Sequence, residues 1–313
     1  MPLYVVTVAS DTVDNTTAPP AGWNTNVPDT DVAAFEDARP RLFGIAYRML
    51  GSVAEAEDVV QDAWLRWQGT DRTVVRNPAA FLTTTTTRLA INAATSAHAR
   101  RETYVGPWLP EPVDTAADPA LGAERAEALE LAVLLLLEKL TPAERASYVL
   151  REAFDYSHRE IAEVLDISEV NARQVGRRAR ERLESERSNP VSAAEQRRLL
   201  ESFVAAAQAG DLAGLERMLA DDVVVRPDGG GEVHAARMEL HGPARTVTLL
   251  DNILRKFWAR STLRIVEANG GSALLVTSAD GEPEALLALD ASGAGIDHVF
   301  IVVSPSKLRQ FAH

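Results

Sequence analysis

Four side chains within one short stretch, Arg173, Gln174, Arg177 and Arg178, carry the hydrogen-bonding groups that read a nucleic-acid base edge. Arginine pairs bidentately with guanine and glutamine with adenine, so these residue types on one helix suit direct contact with a duplex groove. The surrounding segment, SHREIAEVLDISEVNARQVGRRARERL, contains the elements needed to position them. Ser157 and Glu160 cap a first helix, Ile161, Ala162 and Leu165 face inward, and Leu165-Asp166-Ile167 breaks it. Ser168 caps a second helix whose inner stripe is Ala172, Val175, Ala179 and Leu183, which leaves the four polar residues on the other side. Such a helix-turn-helix places the N-terminal part of its second helix in the major groove. The competing reading is a helical hairpin with a solvated face, because Glu181, Glu184 and Glu186 neutralise part of the charge.

Composition limits the alternatives. A chain of 313 residues with 46% hydrophobic content can bury two or three cores. Its net charge of -13 argues against indiscriminate coating of nucleic acid, which needs a basic surface. Basic charge is concentrated instead: residues 169–187 hold six arginines against four glutamates, whereas 191–313 hold 16 acidic and 12 basic residues. The absence of cysteine excludes disulfides, thiolate metal ligands and a cysteine nucleophile. The first basic residue is Arg39, and no apolar run approaches the roughly 20 residues that span a bilayer. These features predict a cytoplasmic protein without a membrane partner.

The chain divides by pattern. Residues 1–30, rich in Thr, Asp, Asn and Pro, read as a flexible extension. In 31–102, Phe43, Ala46, Tyr47 and Leu50, then Ala56, Val59, Val60, Ala63, Trp64 and Trp67, recur at helical spacing, and Gly51-Ser52 divides the helices with a Ser52–Glu55 capping box. A third helix runs from Asn77-Pro78 through five consecutive threonines, poor helix formers that tertiary packing must hold. Residues 103–123 carry four prolines and two glycines and read as a linker. Four short helices fill 124–187, one of them opened by Thr141-Pro142-x-Glu144. From 191 to 313, two helices precede VVVRP, a DGGG loop, another helix near 243–258 and four strand-like segments, which predicts α+β with a curved antiparallel sheet.

EAEDVVQDAWLRW, then NPAAFL, RLAIN and ARR, then a proline linker and the helix-turn-helix together resemble the two conserved regions of extracytoplasmic-function sigma factors over about 35–185. YVGPWLPEPV and a SnoaL-like C-terminal part with its DGGG loop resemble the subgroup carrying that fused extension, the sigma factor J type. The resemblance implies a multidomain fold: two all-α sigma domains followed by an α+β, cone-shaped SnoaL-like domain. It implies core RNA polymerase and promoter DNA as partners, with the C-terminal domain modulating activity. On this resemblance Arg173, Gln174, Arg177 and Arg178 read the -35 element, while Arg88, Asn92, His98, Arg100 and Arg101 open and read the -10 element. Glu57, Asp58, Gln61 and Asp62 dock on the polymerase. The sequence departs from the family pattern at Asp166, where glycine is usual, and at Ser304-Pro305-Ser306-Lys307, where Asn-Pro-Asp-Lys is usual.

Within the C-terminal part, Asp228, His234, His241, Asp297 and His298 are the polar groups able to do acid–base work, but their spacing matches no metal-ligand or shared-face motif. No catalytic residue, metal or cofactor is therefore assigned, and an unidentified small ligand remains the open occupant of a pocket there. The alternative function is a stand-alone DNA-binding regulator whose SnoaL-like domain is an enzyme or a sensor. Trp108, Leu109 and Val113 are large apolar residues in a linker of Pro, Gly and acidic groups, and they need a partner. Trp108-Leu109-Pro110-Glu111-Pro112 is expected to pack on the C-terminal domain near Asp228, Gly229, Gly230 and Gly231, with Lys307 as a regulatory contact. Otherwise Trp108 covers an apolar patch on its own helical domain.

Overall fold

The computed structural model describes residues 29–117, 129–186, 190–233, 235–256, 258 and 260–312. Most of the expected extension (1–28), the helical start at Glu124 and the candidate His234 lie outside these residues. Helices α1 (Asp29–Leu50), α2 (Val53–Gln68) and α3 (Pro78–Glu102) form the first bundle, with Leu42, Trp67 and Leu82 buried between them. Thr83, Thr85, Thr86 and Thr87 are buried too, so packing holds α3 helical where propensity is poor.

The capping box expected at α2 forms only in half. Ser52 Oγ accepts from the Glu55 N–H at 3.4 Å, but the Glu55 carboxylate is drawn to Arg100 on α3. A linker carboxylate stands in: Glu111 Oε2 accepts from the Val53 N–H at 2.9 Å and from Ser52 Oγ at 3.4 Å. The first turn of α2 is thus capped from another part of the chain.

The second bundle comprises α4 (Leu131–Leu137), α5 (Pro142–Glu152), α6 (His158–Leu165) and α7 (Glu169–Glu186). Capping boxes at Thr141/Glu144 and Ser157/Glu160 start α5 and α6. Asp166 ends α6 in the left-handed conformation at φ 56° and ψ 50°, which aspartate tolerates better than most residues. The two bundles share one core, in which Tyr47 and Leu50 of α1 and Ala90 of α3 join Leu134, Ala146, Val149 and Ile161.

In the third part, α8 (Ala193–Ala209), α9 (Leu212–Met218) and α10 (Pro243–Lys256) cover one face of a six-stranded sheet. The strands are β1 (Leu219–Asp228), β2 (Leu240–His241), β3 (Thr262–Ala268), β4 (Gly271–Thr277), β5 (Pro283–Ser292) and β6 (Gly295–Val302), in the order β2-β1-β6-β5-β4-β3. The sheet expected to be antiparallel is mixed, because β1 runs parallel to β6. These are the first and last strands, and the chain between them supplies the long crossover that parallel pairing requires. Phe203, Leu215, Leu250, Leu287 and Ile301 fill the helix-covered side. On the other side Leu275, Leu286 and Phe300 meet Leu109 of the linker and Leu131 of α4.

The β3–β4 turn ties the sheet to both bundles. Asn269, at φ 53° and only 2% exposed, exchanges backbone and side-chain hydrogen bonds with Val113 and donates from Nδ2 to the Tyr47 hydroxyl (2.8 Å) and the Leu129 carbonyl (3.0 Å). Burial pushes the Tyr47 hydroxyl pKa up, so that hydroxyl stays protonated and donates to the Glu111 carbonyl at 2.6 Å. Replacing Asn269 with Ala leaves the Val113 N–H and the Leu129 carbonyl unpaired and removes one of the two partners of the Tyr47 hydroxyl. The expected cost is about 2–3 kcal/mol, read as a lower denaturation midpoint with an unchanged slope.

Candidate nucleic-acid interface

Arg173, Gln174, Arg177 and Arg178 all lie on the exposed side of α7, while Ala172, Val175, Ala179 and Leu183 are buried. Arg173 pairs with Glu169 at 2.5 Å and Arg177 with Glu181 at 3.4 Å, both one helical turn apart and well exposed. Such pairs are worth about 0.3–0.5 kcal/mol, less than the roughly 1–3 kcal/mol of a bidentate base contact. They leave the arginines available to a groove.

Asp58, Gln61 and Asp62 are exposed along α2, and Glu57, half-buried, accepts from Arg39 at 2.8 Å. Leu65, 46% exposed, extends this stripe by one turn. Sequence reasoning passed over it, although an apolar residue outside the inward period of its helix was the available signal.

The five residues assigned to the -10 element separate. Asn92, His98 and Arg100 are exposed on α3, with Arg100 paired to Glu55. Arg88 points between the bundles: its Nε donates to the Val164 carbonyl at 2.9 Å and its Nη2 to the Glu163 carbonyl at 3.4 Å, at the C-terminal end of α6. Arg101 is enclosed, with a side chain 13% exposed. It donates to the Leu50 carbonyl and to Glu138, and stands 3.7 Å over the Trp108 ring. Burial, then the nearby Arg145 charge, lowers its pKa to about 10. Arg145 does parallel work, donating to the Met49 carbonyl at 2.6 Å and to Glu138 at 2.5 Å. Arginines of two bundles thus satisfy the last carbonyls of α1, where cations also complement the helix dipole.

A cavity of about 620 Å³ lies where α2 ends and α3 begins, lined by Arg66, Thr70, Phe81, Thr84, Thr85 and Arg88. Phe81 offers a stacking face, the threonines hydroxyls and the two arginines positive charge. That is the chemistry needed to hold an unstacked base and its phosphate. Arg66, Phe81, Thr84 and Thr85 were not singled out from the sequence, because their convergence depends on how α2 crosses α3.

The linker lies between this bundle and the sheet. Asp228, fully buried at the end of β1, accepts through Oδ1 from the Tyr104 hydroxyl (2.7 Å) and Gly230 N–H (3.0 Å), and through Oδ2 from Leu109 N–H (2.8 Å) and Lys307 Nζ (2.7 Å). Lys307 also donates to the Leu109 carbonyl at 2.6 Å and lies 4.9 Å from the ring centres of Tyr104 and Trp108. Burial lowers its pKa, while the Asp228 charge works in the opposite direction. Trp108 fills the space left by Gly51, where a Cβ would approach its ring to 2.7 Å. Its ring is therefore held by the helical domain on one side and by Lys307 on the other.

The glycines after Asp228 are needed at this contact. Gly230 has φ 62°, and a Cβ there would stand 3.0 Å from Ser304 Oγ. Ser304 donates to Glu232 at 2.7 Å, and Ser306 bonds the same oxygen, so Ser-Pro-Ser is used to hold the DGGG loop. Glu111, bridging the linker to α2, has its pKa raised by burial despite two hydrogen bonds and two nearby cations.

The remaining polar candidates do not converge. Asp297 accepts from Ser292 at 3.1 Å, His241 is exposed, and His298 lies 3.1 Å from Arg226. Burial and the Arg226 charge lower the His298 pKa to about 4. Among the described residues, no group of three His, Cys, Asp or Glu side chains could hold a metal, and no helix is long and apolar enough to cross a membrane.

Comparison with known proteins agrees with this arrangement. Residues 34–101 match the family Sigma-70 region 2, and residues 130–183 match Sigma-70, region 4. The ECF RNA polymerase sigma factor SigJ of Mycobacterium tuberculosis is 38% identical over 234 residues, covering 72% of this chain and 74% of SigJ. A second protein of that organism, named "Probable ECF RNA polymerase sigma factor SigI", is 28% identical over 88% of this chain and 94% of its own. The crystal structure of M. tuberculosis SigJ superposes with a TM-score of 0.72 at 31% identity, covering 89% of this chain and 98% of that one. With both sigma-70 regions present in order ahead of a sheet domain, the chain belongs to the ECF RNA polymerase sigma factors.

Proposed function

We propose that this sigma factor directs promoter-specific initiation with α7 on the -35 element, the α2–α3 cavity and its arginines on the -10 element, and the acidic stripe of α2 on core polymerase. We further propose that the described conformation is a closed, inactive one, held by the linker and the sheet domain. One observation carries this reading: Arg88, which lines the cavity, spends its guanidinium on the carbonyls that end α6. The two elements named are about 25 base pairs apart, or roughly 85 Å of duplex. Bundles that share a core cannot reach both. Productive binding therefore requires the second bundle to leave α1 and α3, freeing Arg88 from the end of α6 and Arg101 from Glu138 for phosphate. The clasp around Asp228 opposes that movement by fixing the linker at Tyr104 and Leu109.

Substituting the base-contacting members of Arg173, Gln174, Arg177 and Arg178 should cost about 1–3 kcal/mol of -35 discrimination, whereas a phosphate contact should weaken all promoters alike. Transcription from single-base promoter variants separates the two, and indifference to all four changes removes the assignment. Charge reversal at Asp58 and Asp62 should lower affinity for core polymerase while circular dichroism stays constant. Asp228→Asn deprives Lys307 of its buried counter-charge. A loss of about 3 kcal/mol, roughly a hundredfold in the open-to-closed ratio, is expected. It should raise both polymerase binding and promoter transcription over the unaltered chain, and lower values for both would show that the clasp assists activity.

A further inference from the structure

A second cavity, of about 680 Å³, opens in the sheet domain on the helix-covered side. Ile301 on β6, Leu249 and Ile253 on α10, and Val233, Ala235 and Ala236 on the loop after β1 form its walls. The volume falls within the roughly 300–1,000 Å³ of small-molecule sites, and the lining is as apolar as those sites are. Among the described lining residues, Glu284 alone carries a charge. Its Oε2 accepts from Ser261 Oγ at 2.5 Å, which holds the carboxylate at the exposed mouth. An anion would meet that carboxylate unfavourably, whereas an N–H, O–H or ammonium group would find an acceptor. The cavity thus selects an apolar body with a donor at one end.

This cavity and the clasp share their walls. The loop that contributes Val233, Ala235 and Ala236 begins at Gly229, where a Cβ would stand 2.8 Å from Ala235 Cβ. Its outer side faces the linker: a Cβ on Gly231 would lie 3.3 Å from Val105 Cβ, and one on Gly106 would lie 3.7 Å from the Ala236 carbonyl. Pro305, also in the lining, sits between the two serines that hold Glu232. The cavity has its described shape only while this loop is in its clasped position. A ligand that fits the shape must stabilise that position by its differential affinity for it.

We propose that this cavity binds a small, uncharged or cationic apolar molecule bearing one hydrogen-bond donor, and that the bound molecule holds the clasp shut. The consequence for transcription rests on the closed-state reading above, but the binding and its effect on the linker do not. N-phenyl-1-naphthylamine, an uncharged fluorophore with a single N–H, is a suitable probe on the full chain, with laurate as the anionic competitor. Saturable binding of one probe per chain is expected, with little displacement by laurate. Leu249→Trp, which fills the cavity, should abolish it, and Glu284→Gln, at an exposed position that leaves the fold intact, should weaken it several-fold. Cleavage by chymotrypsin after Tyr104 or Trp108 should slow about tenfold at a probe concentration ten times its Kd, if cutting proceeds through the opened clasp. The proposal is overturned by an absence of saturable binding, by binding indifferent to both substitutions, by displacement with laurate at equal affinity, or by linker cleavage unchanged or faster at saturation. Neither readout involves polymerase or DNA, so failure here is distinguishable from failure of the promoter assignments.

Discussion

One buried carboxylate organises the contact among the three parts of the chain. Asp228 is fully enclosed, and a charge in that position is tolerated only if its oxygens are matched by donors. It has four, drawn from the tyrosine and leucine of the linker, from its own glycine loop and from a lysine near the chain's end. Each donor is on a segment with another structural duty. The lysine carries the tryptophan ring, the leucine enters the core under the sheet, and the glycines allow the loop to come close. Removing the charge would therefore loosen several contacts together.

The same economy appears around Glu138. It lies between Arg101 and Arg145, whose guanidinium groups also satisfy the last carbonyls of α1. Two like charges this close, each with its pKa held down to about 10, are compatible only because the carboxylate and the carbonyls face them. Both guanidinium groups are thus occupied by internal oxygen acceptors of the kind a phosphate would also offer. On the function proposed above, competition between those acceptors and DNA gives a physical account of how one set of arginines can serve two states.

Local sequence patterns made the helices, the cap residues and the exposed arginines of α7 legible, because each depends on spacing within a few residues. The strand segments were legible too, but the parallel β1–β6 pairing was not: register between the first and last strands is decided by the whole domain. Asn269 is the clearest case of what a sequence conceals. As an Asn-Gly turn it announces only a hairpin tip, yet folding buries it and gives its amide partners in three distant segments. The reassignment of Glu55 from cap to ion pair, and of Glu111 from linker residue to cap, has the same origin. Charged side chains settle on whichever neighbour the tertiary fold supplies, and several neighbours were within reach.

The shared core of the two helical bundles gives the molecule a thermal character. Tyr47, Leu50 and Ala90 on one side and Leu134, Val149 and Ile161 on the other form an apolar seam, and parting it hydrates nonpolar surface. Such hydration raises heat capacity, so the seam's contribution weakens on cooling and is eroded by urea. The polar contacts around Asp228 do not share that dependence. Cold or mild denaturant would therefore act first on the seam between the bundles and leave the linker on the sheet, giving a half-released form that ambient conditions keep scarce.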